Sequence, residues 1–181
     1  VWGTPTIVVN NAALTQAADL MTLDEPDFTR VLNTNVNSIF FGCQVFGAAM
    51  ADEGYGRIVN MASLAGQNGG TATGAHYATS KGAILTVTKI FAKELAAKGV
   101  TVNAIAPGSI LTSALDVVAS NDDLRDPMEK ATPMKRLGDP LDIAAAAVYL
   151  ASPAGSYLTG KTLEVDGGIT YPNLELPIPD L

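Results

Sequence analysis

The feature that most narrows the fold of this chain is an alternation. Short β-branched runs recur along it, and amphipathic stretches of helical length separate them. Thr6–Asn10 is apolar without a period of two, the pattern of a strand covered on both faces. Gly56–Met61, Val100–Ile105 and Thr162–Val165 also read as strands. Between the first two, apolar residues step by three and four over about Pro26–Ala51. Phe28, Leu32, Ile39, Cys43, Phe46 and Met50 form one stripe, and Asn35 fills its gap. Asp24 or Glu25 would cap that helix, Pro26 is tolerated in its first turn, and Gly54 ends it. A second long helix is expected over about Ala75–Lys98, with an inner stripe of Tyr77, Lys81, Ile84, Leu85, Thr88, Phe91 and Leu95 and with Gly99 just past its end. Asp139-Pro140 opens a third, with Ile143, Ala147 and Leu150 facing inward. Strands separated by helices of this length form right-handed βαβ units. The fold class expected is α/β, a doubly wound parallel sheet.

At 181 residues the chain has the size of one domain, and 48% apolar against 16% charged residues supplies enough material for a core. Residues 1–181 are therefore read as a single unit. A net charge of −7 gives no basic field for nucleic acid. The lone Cys43 excludes an intrachain disulfide and a Cys-based metal cluster, and no metal site is expected. No apolar run reaches the roughly eighteen residues of a membrane helix, and no signal segment opens the chain. A cytoplasmic, non-membrane protein is the expectation. Gly66–Gly74 reads as a loop. Ser109–Lys135 reads as a flap carrying a short helix or two, and Pro172–Leu181 as an arm.

In parallel sheets ligands gather beyond the carboxyl ends of the strands, and residues that break the local pattern converge there. Ser63 directly follows a strand. Tyr77 and Lys81 are four apart, so their side chains leave one helical face. Lys81 sits on a mostly apolar stripe, where an ammonium is costly unless something needs it. Asn35 replaces an apolar residue on the other helix, and a buried amide must find partners. Each has a plainer reading: a core tyrosine, a lysine snorkelling to solvent, an amide bonded to backbone. His76 neighbours Tyr77 on a different face, which suggests exposure or a place in the substrate loop. Cys43 reads as a small buried hydrophobe, Asp122 and Asp123 as solvated flap residues, Asp139 as a helix cap, and Asp166-Gly167-Gly168 as a turn.

Taken together, Asn35, Ser63 and Tyr77-x-x-x-Lys81 resemble the short-chain dehydrogenase/reductase family. The likeness runs through Asn10-Asn11-Ala12, Asn35, Asn60–Lys81, Pro107-Gly108 with Ile110 and Thr112, Arg136-Leu137-Gly138 and Asp166-Gly167-Gly168. Tyr-x-x-x-Lys alone is weak; the four residues in this order on these elements are specific. The resemblance implies a Rossmann-like domain that transfers a hydride between NAD or NADP and a ketone or secondary alcohol, with 3-oxoacyl reductases as one model. Tyr77 would be the general acid or base. A free phenol titrates near 10, so work near pH 7 asks for a shift of about three units. Lys81, one turn away, and an oxidised nicotinamide both act in that direction. By the same resemblance Ser63 holds the carbonyl oxygen and Asn35 ties a water to Lys81. Lys81 also bonds the nicotinamide ribose, and Asn11, Ala12, Tyr77, Pro107, Gly108, Ile110 and Thr112 line the cofactor.

Three departures qualify the likeness. Ala13 stands where the family usually has glycine, and Ser63 to Tyr77 is slightly longer than its commonest spacing. The glycine-rich turn that seats a pyrophosphate on a helix N-terminus has no counterpart, and with it goes the residue that separates NAD from NADP. The chain is accordingly read as beginning partway through the domain. The flap, with Ile110, Leu111, Leu115, Val117, Val118 and Met128, is expected to close over a small carbonyl or alcohol substrate. Family members commonly form tetramers through their long helices and last strand, which here would bury Phe40 and Phe41. The competing reading is a catalytically silent subunit that serves assembly.

Overall fold

A computed structural model describes residues 3–70, 73–115, 118 and 120–171. Its four strands, β1 (Ile7–Asn10), β2 (Gly56–Met61), β3 (Val100–Pro107) and β4 (Thr162–Val165), lie side by side in that order. All neighbours are parallel: Val8 pairs with Ile58, Ile58 with Val102, and Ile105 with Leu163. Every connection therefore crosses over, and the helices fall on the two faces of the sheet. One face carries α1 (Glu25–Leu32), α2 (Ser38–Asp52) and α4 (Ala75–Leu95); the other carries α6 (Pro140–Ala151). Ile39, Cys43, Met50, Ile84 and Leu95 pack with Ile58, Val100 and Val102 on the first face. Leu150 and Ile143 pack with Val59, Met61 and Ile105 on the second. No described helix is long and apolar enough to cross a membrane.

The strand expectations hold, except that β1 is not covered on both faces. Val8 packs into the first layer, whereas Ile7 and Val9, on the side of α6, are 48% and 44% exposed. The first long helix is also more articulated than its periodicity implies. Asp24 caps α1 by accepting from the Asp27 N–H, and a π turn at Asn33–Asn37 joins α1 to α2. A π turn takes up one extra residue, and the buried face moves with it. Val31, Asn35, Ile39, Cys43, Gly47 and Met50 are buried, while Leu32 is only half-buried and Phe46 faces solvent. The second long helix ends as expected, through a 3₁₀ turn at Ala96–Lys98 and a left-handed Gly99. Asp139 forms a capping box with Asp142 at the start of α6.

Gly66–Gly74 is not wholly a loop, because Ala65–Asn68 forms a helical turn, α3. The reason lies at Gly66: a Cβ there would stand 2.5 Å from the Lys81 carbonyl carbon and 2.6 Å from the Gly82 nitrogen. Only a bare backbone lets α3 rest directly on α4, and this contact fixes Ser63 relative to Tyr77. A polar tie across the layers went unread in the sequence. Asn10 Nδ2 donates to Asn60 Oδ1 at 2.8 Å, and Asn60 Nδ2 donates to Thr88 Oγ1 at 3.0 Å, linking β1, β2 and α4.

Candidate active site

The end of β2 is held to β3 after its last ladder residue. The Ala62 N–H donates to the Ile105 carbonyl and the Leu64 N–H to the Pro107 carbonyl, at 2.8 and 3.1 Å. Ser63 sits between these two bonds, and its Oγ accepts the Ala65 N–H at 3.1 Å where α3 starts. Its position is thus set by backbone on both sides. The Tyr77 phenol faces the same side chain closely enough for the Ser63 hydroxyl to lower its pKa.

Tyr77 and Lys81 leave α4 together, with Lys81 Nζ 5.5 Å from the Tyr77 ring centroid. Nζ donates to the Met61 carbonyl at 2.6 Å, and Lys81 is only 3% exposed. Burial lowers its pKa to about 8. For Tyr77 burial dominates and the sense is opposite: it raises the phenol above its ordinary value, and the Ser63 hydroxyl only partly offsets this. In the protein without cofactor, burial therefore leaves the phenol less acidic than a free one. A positive charge placed beside it acts in the opposite direction.

Asn35 lies at the π turn, 1% exposed. Its Oδ1 accepts the Leu14 N–H at 2.7 Å, while Nδ2 donates to the Leu14 carbonyl at 2.9 Å and to Ser80 Oγ at 3.0 Å. Both amide hydrogens are therefore engaged, as the backbone-bonded reading of this residue anticipates. Ser80 Oγ in turn donates to the Tyr77 carbonyl at 2.7 Å. The loop after β1 is tied through Asn35 and Ser80 to the main chain of Tyr77. Ser80 was missed in the sequence, where a serine three residues after Tyr77 gives no sign that it faces inward.

The remaining expected residues follow the carboxyl ends of β1 and β3, at the same end of the sheet. Asn11 and Ala12 are exposed just beyond β1. Pro107 closes β3, and Gly108 follows with its N–H donating to the Val165 carbonyl at 3.0 Å. Ile110 bridges Gly138, and Thr112 is exposed. His76 corrects the sequence reading: it is not exposed but 0% accessible, covered by the segment around Gln16 and Gly74. Helical face alone could not reveal that cover. The flap carries a 3₁₀ turn at Ser113–Leu115 and α5 (Asp122–Ala131). A cavity of about 370 Å³ lies between Ser109, Ile110, Thr132 and Met134 on one side and Asp166 and Gly167 on the other. Val117 and the expected arm Pro172–Leu181 lie outside the described residues.

A serine hydroxyl facing a phenol and a buried ammonium beside the ring group three polar side chains at the strand ends. Lys81 Nζ uses one hydrogen on Met61 and has no carboxylate partner among the described residues. It retains hydrogens for other acceptors such as hydroxyls, so the donor set fits the ribose end of a nicotinamide cofactor.

Comparison with known proteins points the same way. Residues 1–170 match the family model described as enoyl-(acyl carrier protein) reductase. An uncharacterized oxidoreductase of Mycobacterium tuberculosis is 52% identical over 176 residues, 97% of this chain and 66% of that protein. A 3-oxoacyl-[acyl-carrier-protein] reductase of Chlamydia pneumoniae is 41% identical over 91% of this chain and 65% of its own length. Among solved structures, a gluconate 5-dehydrogenase from Burkholderia cenocepacia in complex with NADP and tartrate superposes with a TM-score of 0.87 at 32% identity. That match covers 93% of this chain and 66% of the other. The chain spans about two thirds of the length of these relatives.

Proposed function

The chain belongs to the short-chain dehydrogenase/reductase family, and from that premise we propose that it is the catalytic part of an NAD(P)-dependent oxidoreductase interconverting a ketone and a secondary alcohol. The observation that carries the reading is a buried Lys81 whose Nζ lies 5.5 Å from the Tyr77 ring, with the Ser63 hydroxyl close enough to the phenol to lower its pKa. The nicotinamide cofactor, when bound, supplies or accepts the hydride. Asn11, Ala12, Pro107, Gly108, Ile110 and Thr112 would line it, with Tyr77 and Lys81 at its ribose.

The residues of the chain handle the proton. In the reductive direction Ser63 donates to the substrate carbonyl oxygen and orients it, and Tyr77 delivers its phenolic proton to that oxygen as negative charge grows there. Lys81 stabilises the resulting tyrosinate through its charge. Burial strengthens this interaction because little water screens it. Asn35, through Ser80 and the Leu14 backbone, holds the frame in which Tyr77 sits. In the oxidative direction Tyr77 is the base. A small ketone or a 3-oxoacyl thioester is the substrate class, with the Ser109–Lys135 flap as its cover. The reading extends to a cytoplasmic homotetramer, supported by Phe41, Val45 and Ile90, which are 56%, 63% and 54% exposed on the outer sides of α2 and α4.

The test is ketone-dependent loss of reduced-nicotinamide absorbance, measured with NADH and with NADPH. Turnover in the parent and a drop of about a thousandfold or more in Tyr77→Phe, with cofactor affinity largely kept, support the assignment. Unchanged turnover in that variant removes Tyr77 from its role. Absence of cofactor binding leaves the assembly-only alternative.

A further inference from the structure

Helix α4 begins without the usual device. The first N–H groups of a helix have no acceptor within it, and a Ser, Thr, Asp or Asn at the N-cap commonly accepts from the third helical residue. The N-cap of α4 is Gly74, which has no side chain to offer. A Cβ at that position would lie 2.3 Å from His76 Cε1 and 2.6 Å from the Gln16 carbonyl oxygen, so the packing excludes every capping side chain. The third helical residue is Tyr77. Its N–H donates to His76 Nδ1 at 3.0 Å, and the helical ladder begins one residue later with Ala78 bonded to the Gly74 carbonyl. On the other side of the residue, Ser80 Oγ holds the Tyr77 carbonyl.

The geometry points to His76 as a positioning residue for Tyr77: its imidazole does the work of the missing N-cap side chain and fixes the main chain from which the phenol projects. This rests on the reading of Tyr77 as the acid. Accepting at Nδ1 assigns the ring proton to Nε2. Nε2 is buried and has no acceptor among the described residues. A leucine would fill the same space without leaving a buried donor unmatched. A histidine here is therefore accounted for by what its other nitrogen does.

Three variants separate this role from simple packing. His76→Asn keeps an acceptor close to the position of Nδ1. His76→Gln places its polar group where Nε2 lies, and His76→Leu keeps bulk alone. In 15N-labelled protein, His76→Leu is expected to speed exchange of the Tyr77 amide about tenfold and to lower kcat about fivefold to tenfold, with KM for the reduced cofactor within about twofold. His76→Asn restores both to within about twofold of the parent, and His76→Gln behaves like leucine. Full protection and full kcat in His76→Leu overturn the assignment, as does an asparagine variant no better than glutamine. That second comparison decides the matter if the leucine variant does not fold. A parent without turnover removes the reading of Tyr77 as the acid, while amide exchange still decides whether His76 caps the helix.

Discussion

A lysine ammonium inside a protein is held against the desolvation of its charge, and Lys81 shows the consequence in its lowered pKa of about 8. In the unfolded chain the same group keeps its ordinary 10.5. Between pH 8 and 10.5 the unfolded state therefore binds more protons, and this group makes the fold more stable as pH rises through that window. Tyr77 acts in the opposite sense. Its raised pKa means that the unfolded phenol ionises first, so its contribution falls once pH passes the ordinary phenol value near 10. The two are separable by comparing the parent with Lys81→Met, which keeps Tyr77. Urea unfolding at pH 8 and pH 10.5 should show the stability of the parent gaining on the variant by up to about 3 kcal/mol. A constant difference shows that Lys81 is not carried as a buried charge. The spacing that made Tyr77 and Lys81 legible says they share a face and nothing about the dielectric around them, so the direction of the tyrosine shift was not legible. Ser63 was, because a polar residue directly after a buried strand can point only toward the strand ends. His76 was misjudged because its cover comes from the segment around Gln16, some sixty residues away in sequence.

At the scale of elements, the site depends on how closely α3 approaches α4. A methyl group at Gly66 meets backbone atoms of Lys81 and Gly82, which cannot swing aside as a side chain can. Gly66→Ala is expected to cost about 1–3 kcal/mol by urea unfolding. Turnover should fall by more than the folded fraction explains, because α3 carries Ser63 away from Tyr77. Unaltered stability and turnover in this variant mean that the two helices have slack. The opposite side of the same layer is tested by Cys43, which is 0% exposed and whose thiol burial raises to about 11. Thiol reagents at neutral pH should modify it only as fast as the protein opens, and labelling faster than global unfolding would show a local opening between α2 and the sheet. Helix periodicity revealed α4 with its ends, and the α1–α2 stretch as one helix with its outer ends. It did not reveal the π turn, since no local propensity marks where one extra residue enters a helix. The buried stripe was misplaced at Phe46 because steps of three and of four from Cys43 both suit a helix, and Gly47 is the residue that faces the sheet.

For the whole molecule, four strands in sequential parallel order require the crossovers that the alternation of strands and helices had implied, so the sheet was legible almost entirely. The exposure of Ile7 and Val9 was not, because an unalternating apolar run says what a strand tolerates on its faces and not what covers them. The proposed assembly is tested elsewhere, on the outer sides of the long helices. Phe41→Glu with Val45→Glu is expected to lower the mass measured by sedimentation if those faces meet in a homotetramer, and a mass that does not change places any interface elsewhere. Ser63, Tyr77 and Lys81 depend in turn on this architecture, since the end of β2 and the start of α4 meet at the carboxyl end of the parallel sheet. The phenolic proton of Tyr77 gives the most direct access to the proposed chemistry. Spectroscopic titration of the Tyr77 phenol, isolated by subtracting the Tyr77→Phe curve, should place its ionisation above the ordinary value in the free protein and below it when oxidised nicotinamide cofactor is added. A midpoint that stays above the ordinary value at saturating cofactor would mean that this tyrosine is not the acid.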